Sequence, residues 1–176
     1  MDLNEENIII NKKFVFILIS ILIIFSFVSL FFIENHSLVA HDESLYANRA
    51  KLIIDTNNWF APFDKAHHKT IGSYWLIALS FKLFGINEFS ARLPGYIFSI
   101  LSLFTLFKIV KNISSVEIGL ISIFTLSSSF LWFSYSKYCS PDTQYIFLNL
   151  EIQREYFLHL LFPFQNMVFL CNQFEI

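Results

Sequence analysis

The sequence has few charged residues, only two cysteines and no basic cluster, and each shortage excludes a class of protein. Charged residues make up 15% of the chain and hydrophobic residues 55%, with 23 Phe among its 176 residues. A typical soluble domain carries about 25% charged residues. Too little polar surface remains to cover a water-soluble globule, so the chain needs lipid or other helices around it.

The cysteines and the charge balance exclude further classes of protein. Cys139 and Cys171 form neither a disulfide framework nor a metal-ligand spacing. The net charge is −2, and the basic residues are scattered along the chain. Because nucleic-acid binding needs clustered Lys and Arg, we expect no nucleic-acid partner.

Long uncharged runs predict membrane-spanning helices. The run from Phe14 to Ile33 holds twenty residues without a charge, and at 1.5 Å per residue it reaches roughly 30 Å, the thickness of a bilayer core. A cleaved signal peptide has a shorter apolar core and a small-residue cleavage site, so a retained helix is favoured. Two further spans are predicted, from Pro94 to Val110 and from Val116 to about Tyr135, and a fourth begins within 145–150.

Residues 34–93 form a long loop between the first two spans. Within it, Glu43 to Asp55 predicts an amphipathic helix, with Asp42 at the N-cap position and Tyr46, Ala50, Ile53 and Ile54 on one face. Residues 73–84 predict a second apolar helix that is too short to span a bilayer and that ends at Gly85. We expect both helices to lie beside the membrane surface.

The distribution of lysines predicts the topology. Lys12, Lys13, Lys108 and Lys111 place 1–13 and 111–115 in the cytoplasm, and 34–93 and 136–143 outside, by the positive-inside rule. Residues 94–150 then hold the second and third spans and the start of the fourth. In the tail, 151–176, the helical pattern is interrupted by Glu151, Arg154 and Glu155.

Adjacent acids at the start of the amphipathic helix are the first candidate for chemistry. Asp42 and Glu43 follow His41 just outside the predicted first span. Sugar transfer from a phosphate donor needs an activated acceptor, and a carboxylate can serve as the general base. The alternative is a plain helix start, with Asp42 as N-cap and Glu43 favoured by the helix dipole.

Three further groups have both a functional and an ordinary interpretation. Lys69, which follows His67 and His68, is placed to stabilise a departing phosphate, or it is a solvated lysine. The adjacent histidines are a weak metal signal without a spaced third ligand. Asp142 returns an acid to the predicted outer side, or it caps a helix. The remaining candidates for phosphates or headgroups are Arg49 and Arg92.

These residues recur in an order that resembles a known superfamily, the aminoarabinose transferases and dolichyl-phosphate-mannose protein mannosyltransferases. The matching segments are His41 to Ala50, Asn58 to Pro62, His68-Lys69, Tyr74 to Leu76, Phe81 to Pro94, and Ser140 to Asp142. Many separate elements recur in order over roughly residues 12–150, and this makes the resemblance specific.

The resemblance implies an all-α membrane protein with a C-type glycosyltransferase (GT-C) helix bundle and amphipathic juxtamembrane helices in the first outer loop. It implies inverting transfer from a polyprenyl-phosphate sugar to a lipid or protein acceptor on the outer side of the membrane. On the matching positions, the catalytic carboxylates are Asp42 and Glu43, Lys69 with Arg49 binds the donor phosphate, Asp142 is the second outer acid, and Tyr46 and Tyr74 contact substrate.

The chain departs from the family pattern in two respects. Before Tyr-Trp the family has Glu-Lys-Pro-Pro, and this chain has instead His68-Lys69-Thr70-Ile71-Gly72. Because the glutamate is missing, the resemblance does not support a metal-binding or acceptor-binding role at this point. No cofactor is firmly implied, and a divalent metal ion stays open. Family members have several hundred residues, so we expect an N-terminal, truncated part of such an enzyme. The alternative is a catalytically inactive membrane fragment or a partner of another helix bundle.

Overall fold

The computed structural model of the chain describes residues 3–31, 33, 37–38, 42–60 and 71–173. These residues form helices and the turns between them, which confirms the predicted all-α class. In chain order the helices are α1 (Leu3–Phe31), α2 (Glu43–Thr56), α3 (Ile71–Phe84), α4 (Glu88–Ile113), α5 (Val116–Ser128), α6 (Phe130–Tyr135) and α7 (Asp142–Gln173).

The central helix is α4, which packs against α3, α5 and α7. One face of α4 carries small residues every three or four positions, and these residues are buried: Ala91, Gly95, Ser99 and Ser102. Small residues let helix backbones approach closely, as is usual between helices in membranes. At Gly95 an added Cβ would lie 2.8 Å from the Tyr138 carbonyl oxygen and 3.4 Å from Thr143 Oγ1, so the start of α7 sits directly on this face.

The amphipathic helix α2 buries the face that its sequence predicts. Tyr46, Ala50 and Ile53 pack against α3 in a core that also contains Ala91 of α4 and Cys139. The helix ends at Asn57, whose φ of 51° is left-handed, and α3 ends before Gly85, whose φ of +83° favours glycine. This α2–α3 pair therefore packs against the first turns of α4.

Helices α1 and α5 leave large apolar side chains uncovered. Phe16 and Phe27 of α1 are 72% and 71% exposed, and Ile121 and Phe124 of α5 are 63% and 60% exposed. Among the described residues, α4 is the one helix long and apolar enough to cross a membrane, and shorter apolar helical stretches cover Phe16–Phe31, Ile71–Phe84 and Val116–Ser128.

Two helix boundaries differ from the sequence prediction. The helix does not begin at Pro94, because α4 starts earlier at Glu88, where Asn87 and Ser90 form a reciprocal capping box. The predicted third span is divided at Ser129, whose backbone is extended (φ −67°, ψ 130°). Just before this break, the hydroxyls of Ser127 and Ser128 both donate to the Phe124 carbonyl, a type of bond that often bends helices.

The charged residues of the C-terminal segment do not interrupt the helix, contrary to the sequence prediction. Arg154 Nη2 lies 2.9 Å from Glu151 Oε2 and 2.7 Å from Glu155 Oε1, so one guanidinium pairs with both carboxylates along α7. Glu151 Oε1 also accepts a hydrogen bond of 2.6 Å from Thr105 Oγ1 of α4. Pairing along the helix and across to α4 lets α7 continue through 151–155.

Candidate active site

A cavity of about 380 Å³ lies where α2 and α7 begin and α6 ends. Its lining residues come from these three helices and from the turn 136–141; they are Asp42, Tyr46, Ser134, Tyr135, Tyr138, Ser140 and Asp142. The fold thus brings the two acids predicted for the outer side, Asp42 and Asp142, to one cavity. Two carboxylates, two serine hydroxyls and three phenols give this cavity a wall that is about half polar and half apolar.

Asp42 is exposed and its carboxylate is available to a ligand. Its backbone carbonyl accepts from the N–H groups of Leu45 and Tyr46, at 3.1 and 3.2 Å, and so starts α2. Asp42 occupies the N-cap position that the sequence predicts, but its side chain makes no capping hydrogen bond. Tyr46, one turn further along α2, lines the same cavity.

Glu43 points the opposite way and is fully buried, with 0% of its surface exposed. Its Oε1 accepts from Arg92 Nε at 2.9 Å and from the Cys139 backbone N–H at 2.8 Å, and its Oε2 accepts from Arg92 Nη2 at 2.8 Å. The ion pair is therefore bidentate, and both carboxylate oxygens are engaged within the protein. Glu43 does not line the cavity.

Arg92 extends this contact to a fourth part of the chain. Its Nη1 donates to the Ile33 carbonyl at 2.6 Å and its Nη2 to the Ser37 carbonyl at 3.3 Å. The pair Glu43–Arg92 consequently joins the segment after α1, the start of α2, the first turns of α4 and the turn 136–141. Sequence reasoning named Arg92 only as a contact for phosphates or headgroups, and its buried structural contacts were missed.

Asp142 opens α7 beside Ser140. The Ser140 hydroxyl lies 3.1 Å from Asp142 Oδ2, and the Asp142 N–H donates to Ser140 Oγ at 3.4 Å. A carboxylate in the first turn of a helix also gains from the helix dipole. These contacts orient Asp142 at the wall of the cavity without burying it.

Tyr74 and Arg49, which were predicted to contact substrate and donor phosphate, do not line the cavity. Tyr74 is fully buried behind Tyr46, with ring centroids 5.8 Å apart. Burial raises the pKa of Tyr74 to about 12, and the positive charge of Arg49 partly opposes this rise. Tyr74 therefore belongs to the core between α2 and α3, and the half-buried Arg49 lies close enough for its charge to act on Tyr74.

Some sequence candidates lie outside the described residues. Lys69, the predicted phosphate-binding residue, is one of them, as are His41, His67 and His68. In the part of the chain that the structure does describe, no group of three or more His, Cys, Asp or Glu could hold a metal ion.

The turn 136–141 supplies site residues that sequence reasoning missed. Tyr138 faces the cavity, and its pKa is raised by burial and then by the negative charges of Glu43 and Asp42, against the opposing charge of Arg92. Burial and the charge of Glu43 raise the pKa of the neighbouring Cys139 thiol to about 12. Only the Ser-Pro-Asp motif at 140–142 drew attention to this turn, and nothing in the sequence pairs it with Glu43.

The cavity is equipped to take a proton from a hydroxyl group. Asp42 offers an exposed carboxylate as acceptor, and the phenols and serine hydroxyls can donate to or accept from a polar ligand. Burial and, after it, the nearby acids raise the pKa of Tyr138, so its phenol stays a hydrogen-bond donor.

Comparison with known proteins gives a family match and several relatives. The family described as dolichyl-phosphate-mannose-protein mannosyltransferase matches residues 68–159. An uncharacterized protein of Aquifex aeolicus is 30% identical over 156 residues, which cover 83% of this chain and 30% of that protein. No solved structure matches the chain.

Two other relatives are named undecaprenyl phosphate-alpha-4-amino-4-deoxy-L-arabinose arabinosyl transferase. The protein of Pseudomonas aeruginosa is 27% identical over 137 residues, covering 75% of this chain and 25% of its own length. The protein of Shewanella sediminis is 29% identical over 104 residues, covering 57% and 19%. The chain spans less than a third of the length of these curated relatives.

Proposed function

Since the chain belongs to the dolichyl-phosphate-mannose-protein mannosyltransferase family, we propose that it contributes the catalytic cavity of a membrane glycosyltransferase. This enzyme moves a sugar from a polyprenyl-phosphate donor to a lipid or protein acceptor on the outer side of a multi-pass membrane bundle. The observation that carries the proposal is the meeting of Asp42 and Asp142 at one cavity, although 100 positions separate them in the sequence.

The proposed reaction is a single displacement at the anomeric carbon. Asp42 accepts the proton of a hydroxyl group on the acceptor. At the same time the oxygen of that hydroxyl group forms a bond to the anomeric carbon. The bond from that carbon to the phosphate oxygen breaks, its electron pair leaves with the lipid phosphate, and the configuration inverts. Asp142 stabilises the positive charge that develops on the sugar, and Lys69 offsets the charge of the departing phosphate.

Glu43 takes a different part in this proposal from the one its sequence position suggested. Because both of its carboxylate oxygens bind Arg92 and the Cys139 N–H, it has no free face toward a substrate. We assign it to positioning: it fixes the start of α2, and with it Asp42, against the turn that ends at Asp142.

A transfer assay on the chain in lipid nanodiscs tests the proposal. Radiolabelled undecaprenyl-phosphate aminoarabinose serves as donor, polyprenyl-phosphate mannose as a second donor, and extracted envelope lipids and proteins as acceptors. We expect Asp42→Asn to lower transfer by about 10²-fold or more, because a general base typically contributes 10²–10⁴. Asp55→Asn, an exposed acid on the same helix, serves as the matched control and should leave transfer unchanged.

The alternative function is a helix-bundle partner without catalysis. The uncovered apolar faces of α1 and α5 favour it, since they offer surface for further helices. A wild-type chain that inserts stably but transfers no label from either donor would support this alternative. Full activity of Asp42→Asn would contradict the assigned role of Asp42.

A further inference from the structure

The backbone at Tyr138 is held by hydrogen bonds on both sides of the side chain. The Tyr138 N–H donates to the Tyr135 carbonyl at 3.1 Å, and its own carbonyl accepts from the Ser140 N–H at 2.9 Å. The next N–H along the chain, that of Cys139, is bound by the buried Glu43 carboxylate. The peptide units on both sides of the Tyr138 side chain are thus fixed.

The helix α4 is shaped to receive this turn. The Tyr138 carbonyl oxygen sits over Gly95, at a distance that leaves no space for a Cβ. Buried ion pairs contribute little net stability but can hold a structure in one arrangement. Here the Glu43 carboxylate of the buried Glu43–Arg92 pair also accepts a hydrogen bond from the Cys139 N–H, in the turn that carries Tyr138.

The chemistry of the wall around Tyr138 is complementary to a sugar. Asp42 and Asp142 are acceptors when ionised, whereas the Tyr138 phenol is a donor. Burial and the nearby charges of Glu43 and Asp42 raise its pKa and so favour the protonated form. Tyr135, whose ring centroid lies 6.0 Å from that of Tyr138, extends the aromatic wall. A sugar ring has both hydroxyl groups and an apolar face, so it can satisfy the acids, the phenol and the rings together.

The size of the cavity agrees with this ligand class. Pockets for small molecules have volumes of about 300–1,000 Å³, and 380 Å³ is near the small end of that range. Such a volume suits one monosaccharide better than a chain of several sugars.

We propose that Tyr138 is a substrate-positioning residue that donates a hydrogen bond from its phenol to an oxygen of the donor sugar, with Tyr135 forming the adjoining ring wall. The inference rests on the proposed function, and it adds a specificity-determining residue to that site. Because the backbone at 138 is already held by hydrogen bonds, binding does not have to order the backbone there.

A binding experiment separates this role from a structural one. Isothermal titration measures the affinity of the chain in nanodiscs for undecaprenyl-phosphate aminoarabinose. Tyr138→Phe removes the phenol oxygen alone, and we expect about fivefold to tenfold weaker binding. Tyr138→Leu also removes the ring and should weaken binding further. The matched control is Tyr145→Phe, since Tyr145 lies on the first turn of α7 and is 69% exposed away from the cavity lining.

Thermal unfolding of each variant shows whether the fold is kept, and Tyr138→Phe should unfold at the wild-type temperature. Unchanged donor affinity in Tyr138→Phe and Tyr138→Leu would overturn the inference, whether or not the chain transfers sugar. Donor binding that depends on Tyr138 without any transfer would uphold the inference and contradict the proposed catalysis. No donor binding by the wild-type chain would contradict both.

Discussion

Loss of the Glu43 carboxylate charge should open the turn 136–141 by a predictable amount. Glu43→Gln keeps the size of the side chain but leaves the buried Arg92 guanidinium without its counter-charge. Removing one partner of a buried ion pair costs about 3–5 kcal/mol. Both partners here are buried, at 0% and 5% exposure, so we expect this range to apply. It corresponds to a rise of roughly 150-fold to 5,000-fold in the open population.

Cys139 provides a native probe of that opening. Its side chain is 1% exposed, and its backbone N–H is the group that Glu43 binds. Alkylation requires the thiolate, and burial together with the charge of Glu43 raises the pKa of Cys139 to about 12. Glu43→Gln removes the charge and favours the open state, so both effects speed the reaction of Cys139 with maleimide.

The measurement is the rate of maleimide labelling at pH 8 in detergent, on a Cys171→Ser background so that one thiol reports. We expect labelling to accelerate at least 100-fold in Glu43→Gln, up to the rate of the unfolded chain. Asp55→Asn, an exposed acid on the same helix, should label at the wild-type rate. The double change Glu43→Leu with Arg92→Met removes both charges and should recover most of the protection. Wild-type protection in Glu43→Gln would refute the positioning role of this pair.

Two further changes test the packing that supports the cavity. Gly95→Ala introduces a Cβ 2.8 Å from the Tyr138 carbonyl oxygen and should destabilise the fold by about 1–3 kcal/mol in thermal unfolding. Gly72→Ala, whose Cβ would meet nothing within 4 Å, is the control and should be neutral or stabilising. Equal shifts of the unfolding temperature in the two variants would contradict the close approach at Gly95. Burial raises the pKa of Tyr74 to about 12 from its ordinary 10.0, so the free energy of unfolding should fall between pH 10 and pH 12, where only the unfolded state loses the phenol proton. Tyr74→Phe should flatten that fall, and an unchanged slope would show that Tyr74 is not the group responsible.

Sequence patterns predicted the helices and one buried face, because these depend on residues close together in the chain. The α2 face with Tyr46, Ala50 and Ile53 follows from helical periodicity alone, and Gly85 ends α3 for a local backbone reason. The break at Ser129 and the continuity of α7 were missed, since one depends on side chains that bond back to the backbone and the other on charges paired across a turn.

The architecture of the site was harder to predict because its contacts are distant in sequence. Glu43 meets Arg92 at a separation of 49 residues and the Cys139 N–H at a separation of 96. Composition and periodicity contain no signal for either contact. The pairing of Asp42 with Asp142 at one cavity was reached only through a predicted common side of the membrane. Tyr46 was predicted to contact substrate, whereas Tyr135 and Tyr138 were not anticipated.

Much of the ordered resemblance to the family is explained by folding rather than by chemistry. In the segment from Phe81 to Pro94, Gly85 ends α3, and Asn87 and Ser90 cap α4. Arg92 in the same segment makes buried hydrogen bonds within the protein. A relative that had lost activity would still need these residues in order to fold. Asp42 and Asp142 are exposed at the cavity and have no comparable structural duty, so their presence is the better evidence for catalysis. It follows that variants in the Arg92 segment should fail in folding assays, whereas Asp42→Asn should fail only in transfer.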